Sequence, residues 1–230
     1  MKNLFLLCFF IFSYAQLTIG QQDTYYRIKA DFTVKEIHTD GTNSITMGQV
    51  YYDKSKKKIV YNVLFPEKEV WLFQDSLMYI IKNDIIEKKP LVPGYIDFSV
   101  FNLALNNSLK DYGLKNNMIF ELKDVVKDED MVISFWKPRN EFARLLGDVK
   151  VSVKDNRLFG VLIYDKDQRL IGKQVFLEYI KIGALEFPAD IISYTYHENG
   201  GENKQLTTYK NIKVNNWDED LFYNYAIPVH

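Results

Sequence analysis

The chain has 230 residues, enough for one large β domain or two small ones and for a substantial buried core. Lysine and arginine number 29 against 30 aspartates and glutamates, and the net charge of −1 gives no ground for expecting nucleic acid or an anionic membrane surface as partner. Aromatic residues make up 15 % of the chain, with 16 Tyr and 16 Phe, and that richness favours β architecture.

The N-terminus has the form of a secretory leader. Lys2 precedes the apolar run Leu4 to Phe12, and the small residue Ala15 stands before Gln16. A signal peptide is expected over 1–15, cut near Ala15 or alternatively near Gly20. An uncleaved anchor is the alternative, but the run is too short to span a bilayer. The one cysteine, Cys8, lies in the middle of this run, which argues against lipidation. A mature chain over 16–230 then carries no disulfide, which fits a periplasm better than a disulfide-dense extracellular scaffold.

From Tyr25 onwards, strand signals recur about every eight to twelve residues, the spacing of an antiparallel sandwich or barrel. Tyr25 to His38 reads as the first strand. Thr39-Asp40-Gly41-Thr42 reads as a hairpin turn, because glycine accepts the positive φ that such turns need. Ser44 to Asp53 returns, Lys54 to Lys57 turns, and strands follow at Ile59 to Phe65, Val70 to Phe73 and Leu77 to Lys82. These strands are apolar on both faces. Ile59, Tyr61, Val63 and Phe65 make one face and Val60 and Leu64 most of the other; Trp71 and Phe73 stand opposite Val70 and Leu72. A sheet with one dry face needs only one apolar set, so something must cover the second.

Pro90 and Pro93 bracket a loop, and the pattern then changes. Phe98, Phe101, Leu105, Leu109 and Tyr112 recur at steps of three and four, which predicts a helix over Asp97 to Tyr112. Asp97 or Ser99 can cap its start, and Gly113 fits the position just beyond its end. Strands are predicted again at Met118 to Val126, Met131 to Trp136, Val149 to Val153, Leu158 to Tyr164 and Gln174 to Ile182. Pro138 to Gly147 reads as irregular or as one short helix. A last hairpin spans Asp190 to Asn215 around Asn199-Gly200-Gly201. There is no repeat, low-complexity tract or linker, so 16–230 is expected to be a single domain. The predicted helix and its loops are the only material in sight to cover a second apolar face. A curved antiparallel sheet closed by a helical lid would use them so and could leave an interior cavity.

The order of these elements resembles the periplasmic outer-membrane lipoprotein carrier family, the LolA-like proteins. "KADFTVKEIHTDGTNSITMGQVYYDKSKKKIVYNVLFPEKEVWLFQDSLMYIIKND" is similar to the first half of that family, with its "A-x-F" strand, "G-x-(V/L)-(Y/W)" strand, basic turn and aromatic strand ending near Pro. "DFSVFNLALNNSLKDYGL" stands where the family has its central helix, and "VKVSVKDNRLFGVLIYDKDQRLIGKQVFLEY" matches the later hairpins. "LFYNYAIP", Leu221 to Pro228, is similar to the family's C-terminal strand. The resemblance covers Lys29 to Lys181 and Leu221 to Pro228. It implies a mostly β fold, an incomplete half barrel with a helical lid over an apolar cavity. It also implies an acylated lipoprotein or lipid as cargo, membrane donor and acceptor proteins as partners, and a monomer. The chain departs from the family in three places. Lys54 to Lys58 contains no arginine where the family has one, so a lid-latching hydrogen bond would differ. The N-terminal helix is short or absent. The hairpin between Phe187 and Asn215 is longer.

Trp71, Phe73, Tyr79, Phe98, Phe101, Leu105 and Trp136 are the expected cavity residues; plain core packing is the competing role for each. No catalytic constellation is visible. His38, His197 and His230 are isolated and show no metal spacing. G-x-S-x-G and phosphate-loop motifs are absent, and the acidic runs at 127–130 and 216–222 read as solvated turns. No enzyme activity and no cofactor are therefore expected. A non-catalytic envelope protein that binds a protein partner is the alternative to a carrier, and a hydrolase or lyase of apolar substrates ranks last.

Overall fold

The computed structural model describes residues 25–228; the expected signal peptide, with both of its expected cuts, lies outside the described residues. Strands β1 (Arg27–Ile37), β2 (Asn43–Asp53), β3 (Lys58–Phe65), β4 (Glu69–Gln74), β5 (Leu77–Lys82) and β6 (Ile85–Lys88) form an antiparallel meander. Helix α1 (Val100–Leu105) follows. A second meander runs through β7 (Phe120–Asp128), β8 (Met131–Pro138), β9 (Val149–Lys154), β10 (Arg157–Tyr164), β11 (Leu170–Ile182), β12 (Leu185–Tyr196) and β13 (Glu202–Val214), and is followed by helix α2 (Asp220–Tyr223). β13 comes back to pair with β1, so all thirteen strands share one sheet, in the order β6-β5-β4-β3-β2-β1-β13-β12-β11-β10-β9-β8-β7. β6 and β7 remain edges, and the curved sheet stays an open half barrel.

The turns follow their local chemistry. Gly41 and Gly200 take φ of +81° and +82°, as the hairpins they sit in require. Gly48 is required for a different reason. At the bulge between β2 and β3, a Cβ on it would lie 2.1 Å from the Asn62 carbonyl oxygen.

The two apolar faces of the first meander are covered by different parts of the chain. Ile28, Phe32, Tyr52, Ile59, Tyr61 and Phe73 face the concave side and join the main core with α1 and the residues around it. Tyr51, Val60, Leu72, Tyr79 and Ile81 face the convex side and form a second cluster with Phe222, Tyr223, Tyr225 and Ile227. The second cover is thus the C-terminal segment, and not the predicted helix and its loops to which the sequence pattern assigned it. It is anchored by Arg27, whose Nε donates to Asp53 Oδ2 and whose Nη1 donates to Asp220 Oδ1, both at 2.7 Å. The guanidinium also lies over the rings of Trp217 and Tyr223, at 4.1 and 4.6 Å.

Three local expectations are corrected. The helix predicted over 97–112 is only six residues long. It ends because Asn106 turns its side-chain amide back onto the Asn102 carbonyl at 2.8 Å and Asn107 takes a left-handed φ of 53°. Gly113, at φ +74°, therefore ends the turns after α1 and not the helix. The "LFYNYAIP" segment holds most of α2 and no strand; it packs on the convex face of the sheet instead of joining an edge. Of the two readings offered for 138–147 the irregular one holds, with turns over 140–145.

Candidate functional site

Ser99 starts α1 in extended backbone and its Oγ accepts from the Asn102 amide, so one predicted cap is the actual one. Every residue of α1 except Asn102 is buried. A helix this short has no stability of its own and is held by tertiary contacts. Phe101 packs on Phe187 and Tyr209 of the sheet, with ring centroids at 5.8 and 5.2 Å. Tyr52 Oη donates to Asn102 Oδ1 at 2.7 Å, and Lys54 Nζ donates to the Leu105 carbonyl at 3.1 Å. The basic turn, though it lacks arginine, thus supplies a latch to the last residue of α1. Beyond the helix, Tyr112 Oη donates to Gln174 Oε1 at 2.8 Å.

Between α1 and the sheet lies a cavity of about 230 Å³. Its lid wall is aromatic, made by Tyr95, Phe98, Phe101 and Tyr112. Its floor mixes Tyr61, Phe176, Ile191 and Tyr209 with Gln174, Ser193, Gln205 and Thr207. The polar floor reverses the usual alternation. On β11, β12 and β13, the polar residues Gln174, Ser193 and Gln205 point inwards, while their neighbours Val175, Ile192 and Leu206 take the outer face. The cavity is therefore apolar above and hydrogen-bonding below.

Burial pushes the hydroxyls of Tyr61, Tyr95, Tyr112 and Tyr209 up from their ordinary range. All four are neutral at physiological pH and act as hydrogen-bonding groups, not bases. Tyr61 and Tyr95 share a hydrogen bond of 3.3 Å. Among the described residues, no group of three or more His, Cys, Asp or Glu could hold a metal ion.

The structure distributes the seven expected cavity residues. Phe98 and Phe101 line the cavity. Phe73 lies behind it, stacked on the cavity residue Tyr95 at 3.9 Å between ring centroids. Trp71 packs tilted on Tyr61 at 6.2 Å and donates its indole N–H to Glu69. Leu105 and Trp136 are core residues on the concave side and are not part of the cavity wall. Tyr79 is on the opposite face, in the convex cluster under the C-terminal segment, because its position in β5 pairs it with Leu72. Sequence reasoning placed Tyr61 on the correct strand face but did not single it out. Gln174, Ser193 and Gln205 it missed entirely, since alternation alone reads them as solvent-facing.

No protein-family model matches the chain, and no curated protein does. Solved structures do match. A LolA superfamily protein from Nitrosomonas europaea superposes with a TM-score of 0.57 at 11% identity, over 87% of this chain and 91% of that one. A DUF1329 family protein from Desulfovibrio piger gives 0.60 at 14% identity, over 90% and 93%. An outer membrane lipoprotein-sorting protein domain from Vibrio parahaemolyticus gives 0.59 at 9% identity, over 89% and 92%. The fold is LolA-like. The likeness covers nearly the whole described sheet, and the cavity under α1 occupies the concave side of that LolA-like frame.

Proposed function

We propose that this chain is a periplasmic carrier or binding protein for acylated cargo, lipoprotein or lipid, held between α1 and the concave sheet. The observation that carries this reading is the cavity, with an aromatic roof for a hydrocarbon chain and a Gln174–Ser193–Gln205 floor for the ester or amide groups of an acylated head. The structural likeness to a LolA superfamily protein and to an outer membrane lipoprotein-sorting domain supports it. Export would follow removal of the leader near Ala15, and donor and acceptor proteins at the two membranes would load and unload a monomer. The role is non-catalytic.

Size and energetics define how it would work. At about 230 Å³ the cavity is smaller than the ~300 Å³ at which ligand pockets begin. The space is partly open to solvent as it stands, and α1 has to lift for a full acyl chain to fit. Burying a sixteen-carbon chain gains on the order of 10 kcal/mol, at about 0.8 kcal/mol per methylene. Against this, lifting α1 breaks the Tyr52 and Lys54 hydrogen bonds, worth roughly 0.5–1.5 kcal/mol each. It also exposes Phe101 and Leu105, at roughly 1.5–3 kcal/mol each. The cost offsets a large part of the gain, which lowers the affinity towards one that permits release.

Native mass spectrometry on the chain from Gln16 to His230, purified from periplasm without detergent, tests this. A bound lipid-sized mass that extracts into organic solvent is expected. A chain that stays unloaded after incubation with acylated peptides and phospholipids would overturn the carrier reading. That outcome favours protein binding on the same scaffold, a reading supported by the way Phe101, Phe187 and Tyr209 already fill much of the concave side.

A further inference from the structure

The outer face of the second meander presents chemistry that neither the core nor the cavity uses. Two adjacent cross-strand rows run without interruption over eight strands, from β8 through β13 to β1 and β2. One row contains Lys150, Lys173 and Lys204, and the next contains Lys35. The two rows hold no carboxylate; Asp190 and Glu202 each stand one position outside them. None of the four lysines forms an ion pair among the described residues, so what sets this face apart is their collection on two rows without a carboxylate.

The lysines are set among aromatic rings. Lys150 lies over Phe135 and Tyr164, at 5.4 and 4.9 Å from their centroids. Lys173 and Lys204 flank Tyr194 from the two neighbouring strands, at 5.5 and 5.6 Å. Beside them the apolar set Val175, Ile192 and Leu206, displaced outwards by the reversed alternation, remains only partly covered. At its far end the face carries Ile37 and Ile45, 48% and 41% exposed. α1 packs on the concave side of β12 and α2 on β2 and β3; among the described residues no element packs across this outer stretch.

We propose that this face docks on an anionic lipid bilayer surface. The match is one of charge and of layer. Four unpaired ammonium groups reach the phosphate plane, their stems and the tyrosine rings lie at the level of the head groups, and the partly covered apolar row meets the acyl boundary. At roughly 4.8 Å between strands, the stretch from β8 to β13 is about 24 Å wide, broad enough for several lipid heads. A soluble acidic partner would use the lysines but has no use for the apolar row beside them. The inference does not depend on cargo, and it uses residues on the side of the sheet opposite the cavity.

Co-sedimentation of the chain from Gln16 to His230 with vesicles tests it. Binding is expected to phosphatidylglycerol-containing vesicles, to be weak on pure phosphatidylcholine, and to fall as salt is raised. Each lysine removed from the face should weaken partitioning about fivefold, so K150Q/K173Q/K204Q should lose about a hundredfold. The control K123Q/K127Q, on the β7–β8 hairpin, should bind as the native chain does. The inference is overturned if the native chain leaves anionic vesicles unbound, or if the triple variant binds as well as the native chain. It is overturned equally if heparin binds in a manner lost in the triple variant while vesicles stay unbound. In all three cases the cargo experiment on the cavity stands unaffected.

Discussion

Arg27 links the start of β1 to the C-terminal segment through a single guanidinium, and it is only 5% exposed. Asp53 beneath it is 2% exposed and also accepts from the Ser55 hydroxyl and the Lys56 amide. Replacing Arg27 by Met leaves that carboxylate buried without its counter-ion, at a cost of about 3–5 kcal/mol. A drop in melting temperature of roughly 10 °C is expected in a thermal unfolding scan. Burial works against the charge on Asp53, but hydrogen bonds from Ser55 and Arg27 outweigh it and hold the carboxyl below its ordinary value of 3.8. A carboxylate with a depressed pKa stabilises the fold fully above its unfolded pKa and loses that contribution as pH falls through the folded one. The native chain should therefore lose stability as pH is taken below about 4, and Asp53→Asn should start less stable but show a shallower loss. Identical slopes in urea melts across that range would remove Asp53 from the account. Gly48→Ala tests the backbone in a similar way. Its Cβ would meet a carbonyl that belongs to β3 and cannot step aside, so destabilisation beyond about 1 kcal/mol is expected.

At the scale of elements, α1 and the C-terminal segment do separable jobs. Leu105→Asp puts a charge where the last turn of α1 is buried, and should abolish cargo binding while the β-sheet circular dichroism spectrum survives. Unchanged binding would take α1 out of the mechanism. Tyr52→Phe removes only a latch, so acyl-chain uptake in a fluorescence stopped-flow assay should quicken by several fold. Tyr223→Ala empties the convex cluster instead. It should cost about 3–5 kcal/mol and expose dye-binding surface without changing what the cavity holds. The sequence showed that a second cover was needed, because Val60, Val70 and Leu72 are legible as a face. It did not show which segment supplies it. The three-to-four spacing of Phe98, Phe101, Leu105, Leu109 and Tyr112 correctly marked residues that turn towards the sheet. It overstated the helix, since Asn106 and Asn107 break the backbone while turns keep the same side chains inward.

For the molecule as a whole, an open sheet has to manage two edges. β6 is short, and β7 is exposed along seven consecutive residues, Leu122 to Asp128. β7 carries Lys123 and Lys127 and a bulge between Leu122 and Asp124, devices that resist pairing with another chain. Replacing both lysines by valine should increase self-association over that of the native chain in sedimentation velocity. A double variant that sediments as the native chain does would assign the protection to the bulge alone.

Strand positions, turns and the presence of two apolar faces were determined by the sequence itself, because alternation and turn chemistry act over a few neighbouring residues. Which face of β11, β12 and β13 looks inwards was decided only when β13 paired with β1, a contact between residues far apart in the chain. That one pairing turns Gln174, Ser193 and Gln205 into a cavity floor. It also collects four lysines from β1, β9, β11 and β13 onto one surface, so that a chain of nearly zero net charge acquires a basic face.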